Sequence, residues 1–387
     1  MALSITQTPA TISLAQSPII FTVAESNSAT VANTGFQYVA DLYYWSGTIT
    51  NSGSVADYTL VKYPNTSLVG MFDFSRIINS TLTDLAQANP SNVKYFAADF
   101  YYQFLSGSTY ITGSHVKSST YKALDGYQIF QEAIGEQIYD LTPHWPLMTD
   151  GPATQSFFDT NKGTAGVYVG MSGTSAPDRI IYTGPSGTAS YSLSGGTSTA
   201  LQIKQYPIGP QQSGFPLSTS TQWFSVQAAF GETLLGQPIK YNVSCQQKYP
   251  NVRIKWKNRY GQFDWMNFDM VNRQSFQTER RTYQPQLGTW NSSTLGYNDY
   301  DSSTLNYISD SKQSISVNTN WLSEDYNEII KQLLVSDEIY WIYDEANGNI
   351  RPITIVTDSI TFKTGVVDKL IQYSFDFNWG QSYKLII

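Results

Sequence analysis

Short runs in which apolar and polar residues alternate dominate the chain. In "FQYVADLYYWSG" (36–47), Phe36, Tyr38, Ala40, Leu42 and Tyr44 fall on every second position, so they share one face of a strand. The runs at 18–25, 57–65 and 93–105 have similar lengths and end at turn residues. Several short strands at this spacing predict a β-sandwich.

Helical periodicity is rare along the chain. Asp73 and Ser75 are placed to cap a short helical turn that holds Ile77, Ile78 and Leu82. The strongest helix pattern lies near 324–335, where Ser323 is the expected N-cap. Its apolar residues recur at i, i+3, i+4, i+7 and i+8, as in an amphipathic helix: Tyr326, Ile329, Ile330, Leu333 and Leu334.

The C-terminal part again shows strand patterns. "EIYWIYDEANGNIRPITIVTD" predicts a hairpin, with Asn347–Gly348 supplying positive φ angles at a tight turn. Residues 359–379 predict a second pair of strands, in which Tyr373, Phe375 and Phe377 share a buried face. The pattern therefore predicts a mainly β protein, with two or more β-sandwich-like domains and one short amphipathic helix near 324–335.

Composition suggests where the domains divide. Residues 145–222 are rich in Gly, Ser, Thr and Pro, which is typical of a flexible linker or of a small β module. We favour the β module because short strand-like runs recur between the glycines. The predicted division is an N-terminal β-sandwich domain at 1–135, a Gly/Ser/Thr-rich β excursion or small insertion module at 136–225, and a C-terminal β domain with one helix at 226–387.

The surface chemistry is unusual for a chain of 387 residues, because only 14% of them are charged while 28 are Tyr. Such composition suits lasting protein–protein contact, where Tyr is enriched and Lys and Glu are depleted. The alternative is a secreted or viral β protein without a special interface. A net charge of -7 argues against general nucleic-acid binding, which usually has a basic footprint.

The small number of cysteine and histidine residues and the N-terminal sequence further limit the classes of function to be considered. Cys245 is the only cysteine, so no intramolecular disulfide is expected, and its strand-like context predicts a buried side chain. With His115 and His144 as the only histidines, we expect neither a His-rich metal site nor a cofactor. The N-terminus does not resemble a signal peptide, and no run is long enough to span a membrane, so we expect a soluble protein made in a cytoplasm.

Catalytic motifs are not apparent. The chain has no Gly-x-Ser-x-Gly elbow, phosphate-binding loop or His-Glu-x-x-His motif. His115 and His144 lie in turn-like contexts, which favours surface or packing roles over a Ser-His-Asp triad. Asp264 and Asp269 are candidate carboxylates for a glycosidase, but no pattern distinguishes them from structural acids. We therefore predict that the protein is not an enzyme.

One segment concentrates positive charge. In "VRIKWKNRY", Arg253, Lys255, Lys257 and Arg259 occupy every second position, and Ile254 and Trp256 lie between them. Three interpretations remain open: a solvated or edge-protecting strand face, an ionic contact with a neighbouring subunit, and a phosphate-backbone contact. Arg280 and Arg281 would extend the same patch if their strand were an antiparallel neighbour.

The sequence resembles a known group of proteins in two places. The run "SPIIFTV…FQYVADLYYW…YTLVKYPN…GMFDFSRIINSTL" resembles an N-terminal module in virion proteins of tailed phages of Bacteroidetes hosts, including the crAss-like group. "VRIKWKNRYGQFDWMNF" and "ITFKTGVVDKLIQYSFDFNW" are also similar to that group. The "FDxSRI" element, a candidate structural motif, corresponds to five residues: Phe72, Asp73, Ser75, Arg76 and Ile77.

The resemblance implies a structural component of the virion. Its place would be the neck, tail ring or baseplate, in a symmetric ring of copies that contacts neighbouring virion proteins, and it implies no catalytic residues. The six basic residues are then a candidate subunit interface. The alternative is a receptor- or glycan-binding tail-fibre protein, in which aromatic loops such as "GTWNSSTLGYNDYDSS", with Trp290, stack on sugars.

Overall fold

The computed structural model describes residues 3–47, 49, 55–82, 93–129, 147–169, 177–193, 202–245, 249–291, 294–364 and 371–383. Within them the protein is mainly β, with several sheets and only short helices, which confirms the predicted fold class. The chain divides into two compact units. Unit 1 comprises Met1–Cys245, Trp256–Asp264 and Asp325–Glu338, and unit 2 comprises Gln246–Lys255, Trp265–Glu324 and Ile339–Ile387. The boundaries predicted at 135 and 225 both fall inside the first segment of unit 1.

The first part of unit 1 is built from two sheets. Its elements are β1 (Ser4–Gln7), β2 (Ile12–Leu14), β3 (Ile20–Ala24), α1 (Ser28–Val31), β4 (Gln37–Trp45), β5 (Tyr58–Lys62), β6 (Val69–Asp73), α2 (Ser75–Thr81), β7 (Val93–Ser106), β8 (Thr109–Thr112), β9 (Val116–Lys117) and β10 (Tyr121–Leu124). One sheet has the order β1-β3-β6, and the other follows β2-β10-β7-β4-β5 with β8 and β9 paired to β7.

These two sheets share one aromatic core, as in a sandwich. The Phe21 ring of β3 lies 5.3 Å from that of Phe100 on β7 and 5.3 Å from that of Tyr121 on β10. The apolar face predicted for β4 is confirmed, because its first four members are buried and Tyr44 is half-buried. Alternation places these side chains inward, and their burial stabilises the strand pairing.

The predicted turn after β6 is confirmed as α2. One Asp73 carboxylate oxygen accepts hydrogen bonds from the backbone N–H groups of Ile19, at 3.1 Å, and Ser75, at 2.9 Å. The N-cap is Phe74, so Asp73 acts from one position earlier than a capping residue. Phe72 is fully buried, whereas Arg76 is exposed.

The rest of the first segment is also β. Its strands are β11 (Thr154–Phe158), β12 (Gly163–Val169), β13 (Arg179–Gly184), β14 (Gly187–Ser192), β15 (Gln202–Ile208), β16 (Trp223–Phe230) and β17 (Thr233–Ser244). They form a sheet in the order β11-β17-β16-β13-β14 and a β12-β15 pair. The Gly/Ser/Thr-rich stretch therefore contains ordered strands in its described residues. Cys245, which follows β17, is exposed, so its predicted burial is wrong.

A further sheet belongs mostly to unit 2, although residues 256–257 and 263–264 of its strands belong to unit 1. The remaining strands are β18 (Val252–Lys257), β19 (Phe263–Phe268), β20 (Arg273–Tyr283), β21 (Thr289–Asn291), β22 (Thr294–Gly296), β23 (Leu305–Asn318), β24 (Ile339–Asp344), β25 (Asn349–Ile355) and β26 (Ser374–Trp379). The sheet order is β19-β18-β24-β25-β26-β23-β20, and β21 pairs with β22.

Two C-terminal predictions have different outcomes. The hairpin of β24 and β25 is confirmed, although only Gly348 of its turn pair has a positive φ, of 69°. Tyr373, Phe375 and Phe377 are buried as predicted. However, the described residues 359–364 form no strand, and β26 pairs with β23 and β25 instead. Long-range ladders therefore replace the local pair that the pattern predicted.

The predicted helix is confirmed at its predicted position. A 3-10 turn at Glu324–Tyr326 leads into α3 (Asn327–Val335), which belongs to unit 1. Ile329, Ile330 and Leu333 are buried on one face. The N-cap of α3 is Tyr326 rather than the predicted Ser323, because the 3-10 turn precedes the α-helix. None of the helices in the described parts of the chain is long and apolar enough to cross a bilayer.

Candidate functional site

The basic strand β18 is an interior strand with two buried faces. Ile254 and Trp256 are fully buried, as the alternation predicts. Arg253 and Lys257, on the opposite face, are also buried, with 2% and 7% of their surface exposed. Because β18 lies between β19 and β24, it does not guard an edge. The interpretation as a solvated or edge-protecting face is therefore wrong for these residues.

The two basic residues of β18 that belong to unit 2 contact aromatic and acidic groups. The Arg253 guanidinium forms an ion pair with Glu345 and lies 5.2 Å from the centre of the Trp265 ring. Lys255 is half-buried, and its Nζ lies 5.5 Å from the centre of the Tyr340 ring. In both residues, the charged group thus lies over the face of an aromatic ring.

Lys257, in unit 1, lies among three carboxylates. Its Nζ is 3.3 Å from Asp125, 3.0 Å from Asp337 and 3.5 Å from Glu338. Burial lowers the pKa of this amine, but attraction to Asp125 and the other two acids outweighs burial, and the net pKa is raised. The lysine is therefore held in its charged form inside the protein.

Arg259 lies after the end of β18 and forms the centre of a second cluster. Its Nε is 2.5 Å from Asp150, and its Nη2 donates to the Tyr260 hydroxyl at 2.7 Å. Gln332 of α3 accepts the Arg259 backbone N–H at 3.1 Å and donates to Asp150 at 2.7 Å. One amide side chain thus links the helix to both members of the ion pair.

The turn that carries Arg259 is closed by Asn258. The Asn258 side-chain oxygen accepts the backbone N–H groups of Tyr260 and Gln262, each at 3.0 Å. Gly261 has a φ of 70°, which favours glycine, and its close neighbour is the backbone oxygen of Asp125. The backbone turns at Asp125–Gly126 and at Gly261 therefore pack against each other.

Asp264 lies next to this turn and titrates near neutral pH. Its carboxylate accepts hydrogen bonds from the Thr149 hydroxyl at 2.6 Å and the Asn258 amide at 3.1 Å. Burial raises the pKa of Asp264 to about 7, and repulsion from Asp150 adds to this, although the two hydrogen bonds oppose it. Both carboxylate oxygens are thus bound by side chains of the same unit.

The other candidate catalytic residues lie apart from this cluster. Asp269 belongs to unit 2, where it accepts a hydrogen bond from Asn320 at 2.9 Å. His115 stacks on Tyr101, with 4.6 Å between ring centres, and its Nδ1 lies 3.2 Å from Asp99. His144 lies outside the described residues. Among those that are described, no group of three or more His, Cys, Asp or Glu is placed to hold a metal ion.

Arg280 and Arg281 do not extend the basic strand. Their strand, β20, lies at the opposite end of the sheet from β18, with β24, β25, β26 and β23 between them. The conditional prediction of one continuous basic patch is therefore wrong. Both arginines are exposed, and Arg281 lies 3.9 Å from Glu279 in a surface ion pair. A subunit contact by Lys255, Arg280 or Arg281 stays a prediction.

The local pattern found the basic residues but missed their partners. Asp150, Gln332 and Asp337 are far from β18 in the sequence, and no spacing rule connects them to it. The sequence signals that were available are the Asp125–Gly126 pair and Gly261, because such residues are typical of turns, and these two turns pack together. The protein is therefore β-rich, and acidic side chains of the same chain form ion pairs with the basic residues Arg253, Lys257 and Arg259. No known protein family matches the chain, and no curated protein is significantly similar to it.

Proposed function

We propose that this chain is a structural component of a tailed-phage virion, in the neck, tail ring or baseplate. Copies would assemble as a symmetric ring through Tyr-rich polar surfaces and β edges. Two sequence features support the proposal: the resemblance described above, and a surface with few charges and many tyrosines.

One structural observation carries the proposal: a two-stranded ribbon in which most side chains are exposed. We define the ribbon as residues 276–283 of β20 and 305–313 of β23, which pair with each other from Phe276↔Gln313 to Tyr283↔Leu305. Beyond this pair, β26 joins β23 only from Ser314 onward. A two-stranded ribbon without a covered face is marginally stable in water, so a neighbouring molecule would stabilise it.

The ribbon carries apolar side chains that water surrounds in the isolated chain. Phe276 is 52% exposed and Tyr307 is 57% exposed, and three further ribbon residues are also exposed: Tyr283, Leu305 and Ile308. Exposed apolar side chains on such a ribbon are suited to a protein–protein contact. The arrangement favours a protein that functions within an assembly.

A second exposed apolar surface lies in unit 1, around β5 and the loop to β6. Leu68 projects there with a φ of 61°, in a backbone conformation that bulky residues rarely adopt. Asn65 holds this loop by accepting the N–H groups of Ser67 and Val69. Tyr63 and Met71, close by in sequence, are also exposed. A strained, well-anchored apolar residue is typical of a contact site.

The decisive experiment is to locate the chain in purified particles of the virus whose genome encodes it. We expect stoichiometric amounts by mass spectrometry, and density for the chain in a particle reconstruction with sixfold or twelvefold order. Absence of the chain from intact particles would overturn the proposal. Threefold order would indicate a fibre instead.

The alternative function is glycan or receptor binding by a tail-fibre protein. The loop between β22 and β23 favours it, because Tyr297 and Tyr300 are 70% and 84% exposed and aromatic faces stack on sugars. The Trp290 side chain, predicted to take part, lies outside the described residues. Binding of host polysaccharide that is lost in Tyr297→Ala and Tyr300→Ala, but kept in Tyr63→Ala, would support this function. Equal binding by all three variants would exclude the loop.

A further inference from the structure

We propose that two copies of this chain pair edge to edge through β20, antiparallel to each other, about a twofold axis at Thr278. The inference rests on the proposed function, in which copies of the chain assemble, and it identifies one contact between two copies. A twofold contact does not close a ring, so it would join copies in addition to the ring contact.

The outer edge of β20 is suited to pairing. β20 is the last strand of its sheet, and β23 is its only strand partner among the residues that the structure describes. Ten of its eleven residues are exposed, and Thr278 is half-buried. Natural edges are usually blunted by short length, charged side chains, Pro or a bulge. β20 is eleven residues long and has neither Pro nor Lys, the extra residue of the nearby bulge lies in β23, and the four charged residues of β20 make the pairing depend on the register.

Symmetry limits how β20 can pair with itself. A twofold axis normal to the sheet leaves each side chain on its own face, so the residue on the axis faces itself. Five positions of the axis, from residue 276 to residue 280, let seven or more residues of β20 overlap. Axes at Gln277, Glu279 and Arg280 each place two like charges directly opposite, which is destabilising. Axes at Phe276 and Thr278 do not.

The axis at Thr278 gives the longer ladder, although the axis at Phe276 would oppose Arg273 to the partner's Glu279. All eleven residues of β20 overlap, against seven for an axis at Phe276. Thr278 then faces the partner's Thr278, and Gln277 faces the partner's Glu279. The side chains of each pair can form a hydrogen bond. Phe276 faces the partner's Arg280, which brings a guanidinium to an aromatic ring, and this pair occurs twice. In this register every charged residue of β20 faces a neutral residue of the partner, so no like charges oppose each other.

Disulfide trapping tests the register directly. Cys245 is the only cysteine, so a Cys245→Ser background removes other thiols. Directly opposed residues in antiparallel strands have Cα atoms about 4.5–5.5 Å apart, within disulfide range. We expect Thr278→Cys to form a covalent dimer under mild oxidation. Phe276→Cys and Arg280→Cys should each remain monomeric alone but cross-link when the two proteins are mixed.

Two outcomes of this experiment would overturn the proposal. The first is a dimer from Phe276→Cys alone with none from Thr278→Cys, which would place the axis elsewhere. The second is the absence of covalent dimer from every variant and mixture at protein concentrations where the unmodified chain associates.

A charge variant tests the contact without cross-linking. Thr278→Arg places two arginines at the axis, and we expect its dimer to weaken by about tenfold or more. Thr282→Arg is the matched control, because its opposing residue is Gln274, and its dimerisation should be unchanged. Equal masses for wild type and Thr278→Arg in light scattering would overturn the pairing. That result would leave the virion role untouched, since particle composition tests it independently.

Discussion

Arg259 and Asp150 form a buried ion pair, with Nε 2.5 Å from the carboxylate and side chains only 9% and 13% exposed. The pair connects the turn after β18 to the segment before β11 through residues 109 positions apart. Gln332 and Tyr260 add hydrogen bonds to the same carboxylate. The charge of Arg259 is therefore neutralised within unit 1.

Removing this charge should strongly destabilise the fold. Arg259→Met keeps much of the side-chain volume but leaves Asp150 without its cation, so we expect a loss of about 3–5 kcal/mol in the free energy of unfolding. Arg281→Met is the matched control, because Arg281 is exposed and should change stability by about 0.5 kcal/mol or less. Urea titrations followed by fluorescence would measure both. Similar midpoints for the two variants would contradict the structural role of the buried pair.

Lys257 and Lys255 should differ when their charges are reversed, although they lie on the same face of β18. Lys257→Glu would place a fourth carboxylate beside Asp125, Asp337 and Glu338, and we expect it to unfold or to lose about 4 kcal/mol or more. Lys255→Glu removes a half-buried contact with Tyr340 and should cost about 1–2 kcal/mol. Thermal unfolding of the two variants compares them. Greater stability of Lys257→Glu than of Lys255→Glu would contradict a stabilising role for the ion pairs of Lys257.

Asp264 should make stability depend on pH. Its folded pKa of about 7 lies above the ordinary aspartate pKa of 3.8, so the folded state binds the proton more tightly than the unfolded state. This contribution is fully present below about pH 4 and falls as the pH rises towards 7, with an upper limit of about 4 kcal/mol. In Asp264→Asn, which has no such proton, we expect stability relative to wild type to increase across that range. The stability difference, measured by urea unfolding at several pH values, would be flat if Asp264 had an ordinary pKa.

Gly126 and Gly187 form a matched pair for a steric test. Their φ angles are similar, 123° and 120°, so alanine costs comparable backbone strain at either position. A Cβ at Gly126 would lie 2.1 Å from the Arg259 backbone oxygen, whereas a Cβ at Gly187 would meet nothing within 4 Å. We expect Gly187→Ala to cost about 1–2 kcal/mol and Gly126→Ala several kcal/mol more. Equal losses in unfolding experiments would mean that the two turns do not pack closely.

Local patterns predicted many of the elements because they depend on short-range periodicity. The buried face of β4, the Asp73-anchored turn and the helix near 324–335 all follow from side chains that repeat every two or every three to four residues. The burial of Cys245 was predicted wrongly, because a strand-like context does not show where a strand ends. The strand pair expected at 359–379 was wrong because β26 forms its ladders with β23 and β25.

The sequence by itself determined the β class, the one amphipathic helix, the turn glycines and the alternation of charge along β18. Only the tertiary structure decided what that alternation means. In the sequence, Arg253, Lys257 and Arg259 have no visible acidic partners, and a solvated face was a natural interpretation. In the folded chain, carboxylates from distant positions approach them, and charges that would be costly to bury alone become buried ion pairs. Periodicity is a local property, whereas the partner of a buried charge depends on which distant segments the fold brings together.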